Sequence, residues 1–275
     1  MQKKIILFGG IVIAAIAFFL MRQSVNHDQK ENVHTPVPAL IDFRVGVTAG
    51  PHAVIMEFVK QLAIKQGLNI KVIEFNDFIL PNAALDHGDI NLNSYQHKLF
   101  LDDQIKSRDY HLTAIAPSVL MPLGIYAFSL KSLNELKNGA TVLIPNDPTN
   151  GGRALLLLQK QGLITLKDNP LPTLLDITAN PKQLVIKELD APSLPRAMVD
   201  ADLAVINTDW IFVAGLDPTK ALAIEAKDSP YVNVLVVRSG SENDETVKKF
   251  TALYRSEPVR TFIETEFKGA VIPAF

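Results

Sequence analysis

Residues Ala140–Ile164 read ATVLIPNDPTNGGRALLLLQKQGLI, and the three parts of this stretch decide how the remainder of the chain is parsed. Thr141–Ile144 is a short apolar run with branched residues, Pro145–Gly152 is almost entirely turn formers, and Arg153 onward is helix-forming sequence. The order predicts a buried strand, a tight loop and a helix. Such a loop delivers a helix N-terminus to the carboxyl end of a strand, where open α/β sheets hold small ligands. Arg153 is placed in the first helical turn, beside free backbone N–H groups, a combination that suits a carboxylate or another small anion. A surface arginine after an ordinary loop explains the same letters, so the surrounding chain has to separate the two.

Composition removes several classes of function. The chain has 275 residues, 48% of them hydrophobic, enough for one large domain or two small ones with a packed core. A formal net charge of −2 offers no basic excess to neutralise phosphates, so nucleic acid is not an expected partner. None of the residues is cysteine, which excludes disulfides, thiolate chemistry, zinc ribbons and attachment of a lipid to a cysteine.

The N-terminal segment stands apart from the fold. Lys3 and Lys4 precede an apolar run from Ile5 to Met21 that ends at Arg22. The run lies at the lower edge of a spanning helix, and cleavage after Ala15-Ile16-Ala17 would leave Phe18, Phe19 and Leu20 on the mature end. An uncleaved signal anchor with its lysines in the cytoplasm is therefore expected over a cleaved signal peptide. From Arg22 to about Leu40 the chain is polar, carries Pro36 and Pro38, and reads as a disordered tether whose full extension would be roughly 60 Å.

Beyond the tether the same order of elements occurs twice. Phe43–Val47 reads as a strand, and Ile55, Phe58, Val59 and Leu62 stripe a helix that Gly67 closes. Lys71–Phe75 is a second strand, Pro81–Asp86 a short helix, and Ile90–Tyr95 a strand ending on polar and aromatic residues. After Ala140, the strand and helix of the opening stretch lead to a strand at Leu184–Glu188, a helix at Pro192–Val199 and a strand at Leu203–Asn207. Two α/β units are predicted, each with a mouth at its strand ends.

Between the units, Ala114–Phe128 is apolar but broken by Pro117, Pro122 and Gly124, and reads as a strand passing from one unit toward the other. Ser132–Glu135 has the pattern of a capping box opening a short helix. Tyr231–Arg238 is a strand pattern suited to bring the chain back beside the outgoing one. Two helices finish the chain, striped by Val247, Phe250 and Leu253 and by Val259, Phe262 and Ile263. Two crossovers and two facing mouths make a cleft able to close on a ligand.

Several stretches carry a resemblance to a known family. IPNDPTNGGRALLLLQ from Ile144, Tyr95-Gln96-His97, AVIN ending at Asn207, DSPYVN from Asp228 to Asn233 and the closing KGAVIPAF from Lys268 are similar to the methionine-binding NlpA-type lipoproteins. These are the substrate-binding components of methionine-uptake ABC transporters. The resemblance runs from about Asp42 to Phe275 and implies an α/β, two-lobed periplasmic-binding-protein fold with a ligand cleft between the lobes. Joined to the reading of the N-terminal segment, the expected organisation is a signal anchor or signal peptide at 1–22, standing in for the lipid-modified cysteine of the family, and a flexible linker at 23–40. Residues 42–130 with 229–275 form the first lobe, and 131–228 the second. The implied partners are methionine, an inner-membrane permease and its ATPase, with the protein a monomer and no cofactor. Its expected place is the periplasmic face of the inner membrane, anchored by residues 5–21, or the soluble periplasm if the signal is cut.

Residue by residue, the resemblance implies that Arg153 pairs with the ligand carboxylate, and that Asn207 and Asn233 bond the polar head of the amino acid. It implies that Tyr95 lines the side-chain pocket and that His97 contacts the ligand or shapes the wall. Phe78 stands where a tyrosine is common in the family. Thioether sulfur packs well on aromatic edges, which gives such a wall a physical purpose. Ser94 stands where an aromatic is common and Asp209 where a neutral polar residue is common; Asp209 is expected to alter affinity for a zwitterion or favour a ligand with a freer amino group.

Enzyme readings find little support, because the chain has no Gly-x-Ser-x-Gly elbow, Walker loop, Gly-x-Gly-x-x-Gly or His-Glu-x-x-His. Its six histidines are scattered. His52, His87 and His111 read as surface or capping residues, and Asp147 as a turn residue bonding its own loop. A metal site built on His52, His97 and Asp147, or a pocket for another small amino acid, are the alternatives.

Overall fold

An apolar strand with no polar alternate positions needs cover on both of its faces. The computed structural model, which describes residues 40–275, supplies that cover by setting each of two sheets between layers of packed side chains. In chain order the first unit runs β1 (Ile41–Thr48), α1 (Pro51–Ala63), β2 (Leu68–Phe75), α2 (Leu80–Asp86), β3 (Leu92–His97), α3 (Lys98–Arg108) and β4 (Leu112–Leu120). The second runs β5 (Gly124–Tyr126), β6 (Thr141–Pro145), α4 (Pro148–Lys160), β7 (Thr165–Leu166), β8 (Ile177–Ala179), β9 (Val185–Leu189), α5 (Leu194–Ala197), β10 (Leu203–Ile206), α6 (Thr208–Val213) and β11 (Ala223–Ile224). The chain then returns to the first sheet through β12 (Val232–Arg238), α7 (Glu245–Tyr254), α8 (Glu257–Phe267) and β13 (Ile272–Pro273).

The strand order is β13-β4-β12-β3-β1-β2 in the first sheet and β11-β5-β10-β6-β9 in the second, while β7 and β8 pair as a separate ribbon. β1 runs parallel to β2 and β3, and β12 lies antiparallel between β3 and β4. The returning strand thus sits beside the outgoing one, as Tyr231–Arg238 predicts. Burial explains its unbroken run: Leu235 and Val237 face the core under α1, α7 and α8, while Val234 and Val236 face Leu85 and Leu101 of α2 and α3. β10 is used the same way, with Leu203 and Val205 on one face and Ala204 and Ile206 on the other.

Three local expectations change. Gly124–Tyr126 belongs to the second sheet, antiparallel to β10 and β11, so the chain changes sheets at Met121–Leu123 and not near residue 130. Pro122 and Gly124 are the breakers that let it turn. Ser132 makes no side-chain cap; only a 3₁₀ turn forms at Leu133–Glu135, with Glu135 accepting instead from the Lys131 amide at 3.2 Å. The expected helix from Pro192 to Val199 is one α turn between two 3₁₀ turns. The apolar run Ile5–Met21 and nearly all of the tether lie outside the described residues. Among those described, no helix is long and apolar enough to cross a membrane.

Candidate functional site

All six residues singled out for the ligand, Phe78, Tyr95, His97, Arg153, Asn207 and Asn233, line one cavity between the two sheets. It encloses about 350 Å³, some of it open to solvent. β3 delivers Tyr95, Gln96 and His97 at its carboxyl end, and the loop after β2 delivers Phe78. From the second unit come Asn150 and Arg153 of α4 and Asn207, Thr208 and Asp209 after β10; Asn233 rides on β12 beside His97.

The opening stretch folds differently from its expected form in one respect. Asp147 is the N-cap of α4, its carboxylate accepting from the Asn150 amide at 2.9 Å and from the Thr149 hydroxyl at 3.0 Å, with Pro148 in the first turn. The helix therefore starts before Arg153, which lies in its second turn rather than its first, and the Asn150 amide N–H is already engaged. Gly151 and Gly152 read as turn formers, yet both are helical. A Cβ on Gly151 would meet the Pro145 carbonyl at 2.9 Å, and one on Gly152 the Pro172 carbonyl at 3.0 Å, so the glycines serve close packing.

Arg153 is buried and its guanidinium is held by protein. Nε donates to Glu225 Oε1 at 2.8 Å, and Nη2 donates to Glu225 Oε2 at 2.5 Å and to the Met121 carbonyl at 2.9 Å. The Tyr231 ring lies 4.5 Å from the guanidinium carbon. Glu225 Oε2 also accepts from the Leu123 amide at 2.9 Å. Both chain crossings, Met121–Leu123 and Glu225–Tyr231, are therefore tied to one arginine. Nη1 is the guanidinium nitrogen with no hydrogen bond among the described residues. Glu225 was not visible from the sequence, for it stands in an irregular segment with no motif around it.

His97 caps α3, its Nδ1 accepting from the Phe100 amide at 3.1 Å. Burial, aided by the nearby Arg153 charge, lowers its pKa to about 3, so the ring is neutral. With Nδ1 an acceptor, the proton sits on Nε2, which is buried and unpartnered at the cavity. Asn207 has the opposite remainder: its Nδ2 donates to Asn150 Oδ1 at 2.9 Å, leaving Oδ1 as a buried, unpartnered acceptor. Asn233 Nδ2 stands 3.0 Å from His52 Nε2.

The remaining wall is aromatic. The Tyr95 hydroxyl donates to the Phe78 carbonyl at 3.0 Å, and the Phe78 ring stacks on Tyr95 at 6.1 Å, with Phe100 edge-on to both. Trp210 of α6 meets Phe78 across the cleft at 5.2 Å. The loop carrying Phe78 is braced from below by the mutually bonded amides of Asn82, Asn93 and Gln96.

His52 is the clearest misreading among the histidines: it is buried in α1, not on the surface, and burial lowers its pKa to about 3. Its Nε2 lies 3.8 Å from Asp209 Oδ1, which accepts from the Thr48 hydroxyl at 3.2 Å. Burial pushes the Asp209 carboxyl up to about 7, although Thr48 and the Arg153 charge pull it down. This trio lacks the order of a nucleophilic relay, since Thr48 bonds to the carboxylate and not to the imidazole. Nor are His52, His97 and Asp147 brought together: among the described residues no three His, Cys, Asp or Glu side chains are grouped to hold a metal ion.

The arrangement offers fixed donors, fixed acceptors and an aromatic wall. The family model described as NlpA lipoprotein matches residues 43–275. The D-methionine-binding lipoprotein MetQ of Salmonella typhi is 48% identical over 235 residues, 83% of this chain and 87% of that protein. A nutrient-binding protein of Burkholderia cenocepacia, solved bound to methionine, is 46% identical with a TM-score of 0.82, covering 85% of this chain and all of that one. The crystal structure of a methionine-binding protein, MetQ, matches at 44% identity and the same TM-score over 85% of this chain and 98% of its own. On the match of nearly its whole described length, this chain belongs to the NlpA lipoprotein family.

Proposed function

We propose that the chain is the substrate-binding component of an ABC importer, capturing methionine in the cleft between its two units. The observation that carries this reading is the gathering of unlike leftover polar atoms in one cavity. His97 Nε2 and Arg153 Nη1 are donors suited to a carboxylate, and Asn207 Oδ1 is an acceptor suited to an ammonium. Phe78, Tyr95 and Phe100 supply an apolar wall for a thioether side chain. Arg153, Asn207, Asn233, His97, Tyr95 and Phe78 are the ligand residues of this reading, and the ligand leaves chemically unchanged.

The two lobes, one holding the first sheet and one the second, close by bending at Met121–Leu123 and Glu225–Tyr231. Release is to an inner-membrane permease driven by its ATPase, on the periplasmic side. With no cysteine to carry a lipid, attachment falls to the apolar run 5–21. Titration calorimetry with L-methionine, D-methionine and methionyl dipeptides tests the reading. One of these is expected to bind with micromolar affinity or better, and Arg153→Ala to weaken it at least about 100-fold, because a buried carboxylate loses its charged partner. Wild-type affinity in that variant would refute the site, and silence across the whole panel would refute the function.

A further inference from the structure

Asp209 is the only acid among the described residues lining the cavity, and the charge around it does not balance. Arg153 is the only lysine or arginine there, and its charge is already met by Glu225, which lies behind it and not in the cavity wall. The side chains in contact with Asp209 bring no positive charge: Thr48 of β1 donates a neutral hydrogen bond, and His52 of α1 stands 3.8 Å away and is uncharged. Arg153 attracts it more weakly, and His97, which lines the same cavity, is uncharged as well. The one unpartnered acceptor nearby, Asn207 Oδ1, is two residues away on the same turn. Ionised Asp209 thus lacks a full counter-charge, beside a second group that also seeks a donor.

We propose that Asp209 is the counter-ion of the ligand's ammonium group, so that the site selects ligands carrying a free, charged amine. The proposal rests on the amino-acid-binding reading above and adds to it the basis of amine selection. A protonated Asp209 carboxyl gives its proton to buffer as the ammonium arrives, and the ion pair then replaces a buried neutral acid. N-acylated and des-amino ligands leave an ionised Asp209 unpaired and so bind only to the form in which it is protonated.

Calorimetry at pH 5, 6.5 and 8 decides the matter, with L-methionine and its des-amino analogue 4-(methylthio)butanoate on wild type and Asp209→Asn. With the free carboxyl raised to about 7, methionine is expected to bind at least about 10-fold more weakly at pH 5 than at pH 8. The des-amino analogue is expected to slope the other way, binding best when Asp209 is neutral. Asp209→Asn should flatten both profiles, with its melting curve confirming that it folds. At pH 6.5 the wild-type heat of methionine binding should differ between phosphate and Tris, reporting the released proton without any substitution. A flat methionine profile, or an analogue that follows the methionine slope, would overturn the assignment and leave Asp209 as a contact to Thr48 only. Absence of methionine binding at every pH overturns the proposed function together with it.

Discussion

Replacing Glu225 by Gln tests the most heavily bonded contact of the site. Glu225 accepts two bonds from Arg153 and one from the Leu123 amide, and both partners of the ion pair are nearly buried. Gln keeps the shape and one acceptor oxygen but leaves the guanidinium without its counter-charge. Breaking a buried pair from one side costs about 3–5 kcal/mol, and the remaining amide bond and the Tyr231 face reduce this to about 2–4 kcal/mol. For a folded body of this size, that lowers Tm by roughly 5–15 °C, read by circular dichroism in the absence of ligand. Arg153→Met in the same chain removes the stranded cation, so the double variant should be more stable than the sum of the singles by at least about 1.5 kcal/mol. A Tm within about 2 °C of wild type for Glu225→Gln, or strict additivity in the double, would refute the clamp.

His97→Asn and His97→Ala separate the two ring nitrogens: Asn restores the cap on α3 while Ala loses about 1 kcal/mol, and neither restores ligand affinity. Equal stability of the two would argue against the cap. Acidification from pH 6.5 to 4.5 should lower stability, because the unfolded chain protonates His52 and His97 where the fold, holding both near 3, does not. Each contributes a loss of up to about 1.4 kcal/mol per pH unit. Asp209, raised to about 7, and Asp147, also raised by burial, act oppositely, gaining stability as pH falls. Asp209→Asn therefore steepens the acid decline of the urea midpoint, and an unchanged slope would contradict the buried carboxyl. Gly50 has φ +91°, and a Cβ there would stand 3.1 Å from the Asp209 carbonyl and 3.3 Å from Val213. Gly50→Ala should destabilise by about 1–3 kcal/mol and weaken ligand binding by pushing α6 away, measured by melting and calorimetry.

The sheets were legible because their strands are buried on both faces: runs such as Leu235–Val237 and Leu203–Ile206 have one sensible use. Strand-end mouths were legible too, since Asn207 follows the apolar run Leu203–Ile206 and Tyr95 ends a strand whose last residues turn polar and aromatic. What failed was whatever depends on distant approach. Gly151 and Gly152 looked like turn residues because the Pro145 and Pro172 carbonyls that require them small appear only in three dimensions. His52 looked exposed because the groups that bury it, Asn233 and Asp209, are far away in the chain. Glu225 carries no local signal at all, being defined only by the arginine it meets.

That dependence on distant partners also explains how the cavity is kept ready. Asn150 sets the Asn207 amide, the Phe100 amide sets the His97 tautomer, and Glu225 sets the Arg153 fork. In the proposed site, each atom offered to the ligand is the remaining polar atom of a side chain already held at its other end. A ligand therefore orders few side chains on arrival, avoiding about 0.5–1.5 kcal/mol for each. Arg153 goes further, because the groups that hold it belong to both chain crossings. On that proposal, a carboxylate arriving at Nη1 adds a second anion to a cation that already joins the two chain crossings. Under the proposed function, anchoring the ligand and fixing the hinge are one electrostatic event, so a substitution at Arg153 is expected to change both affinity and how readily the lobes part.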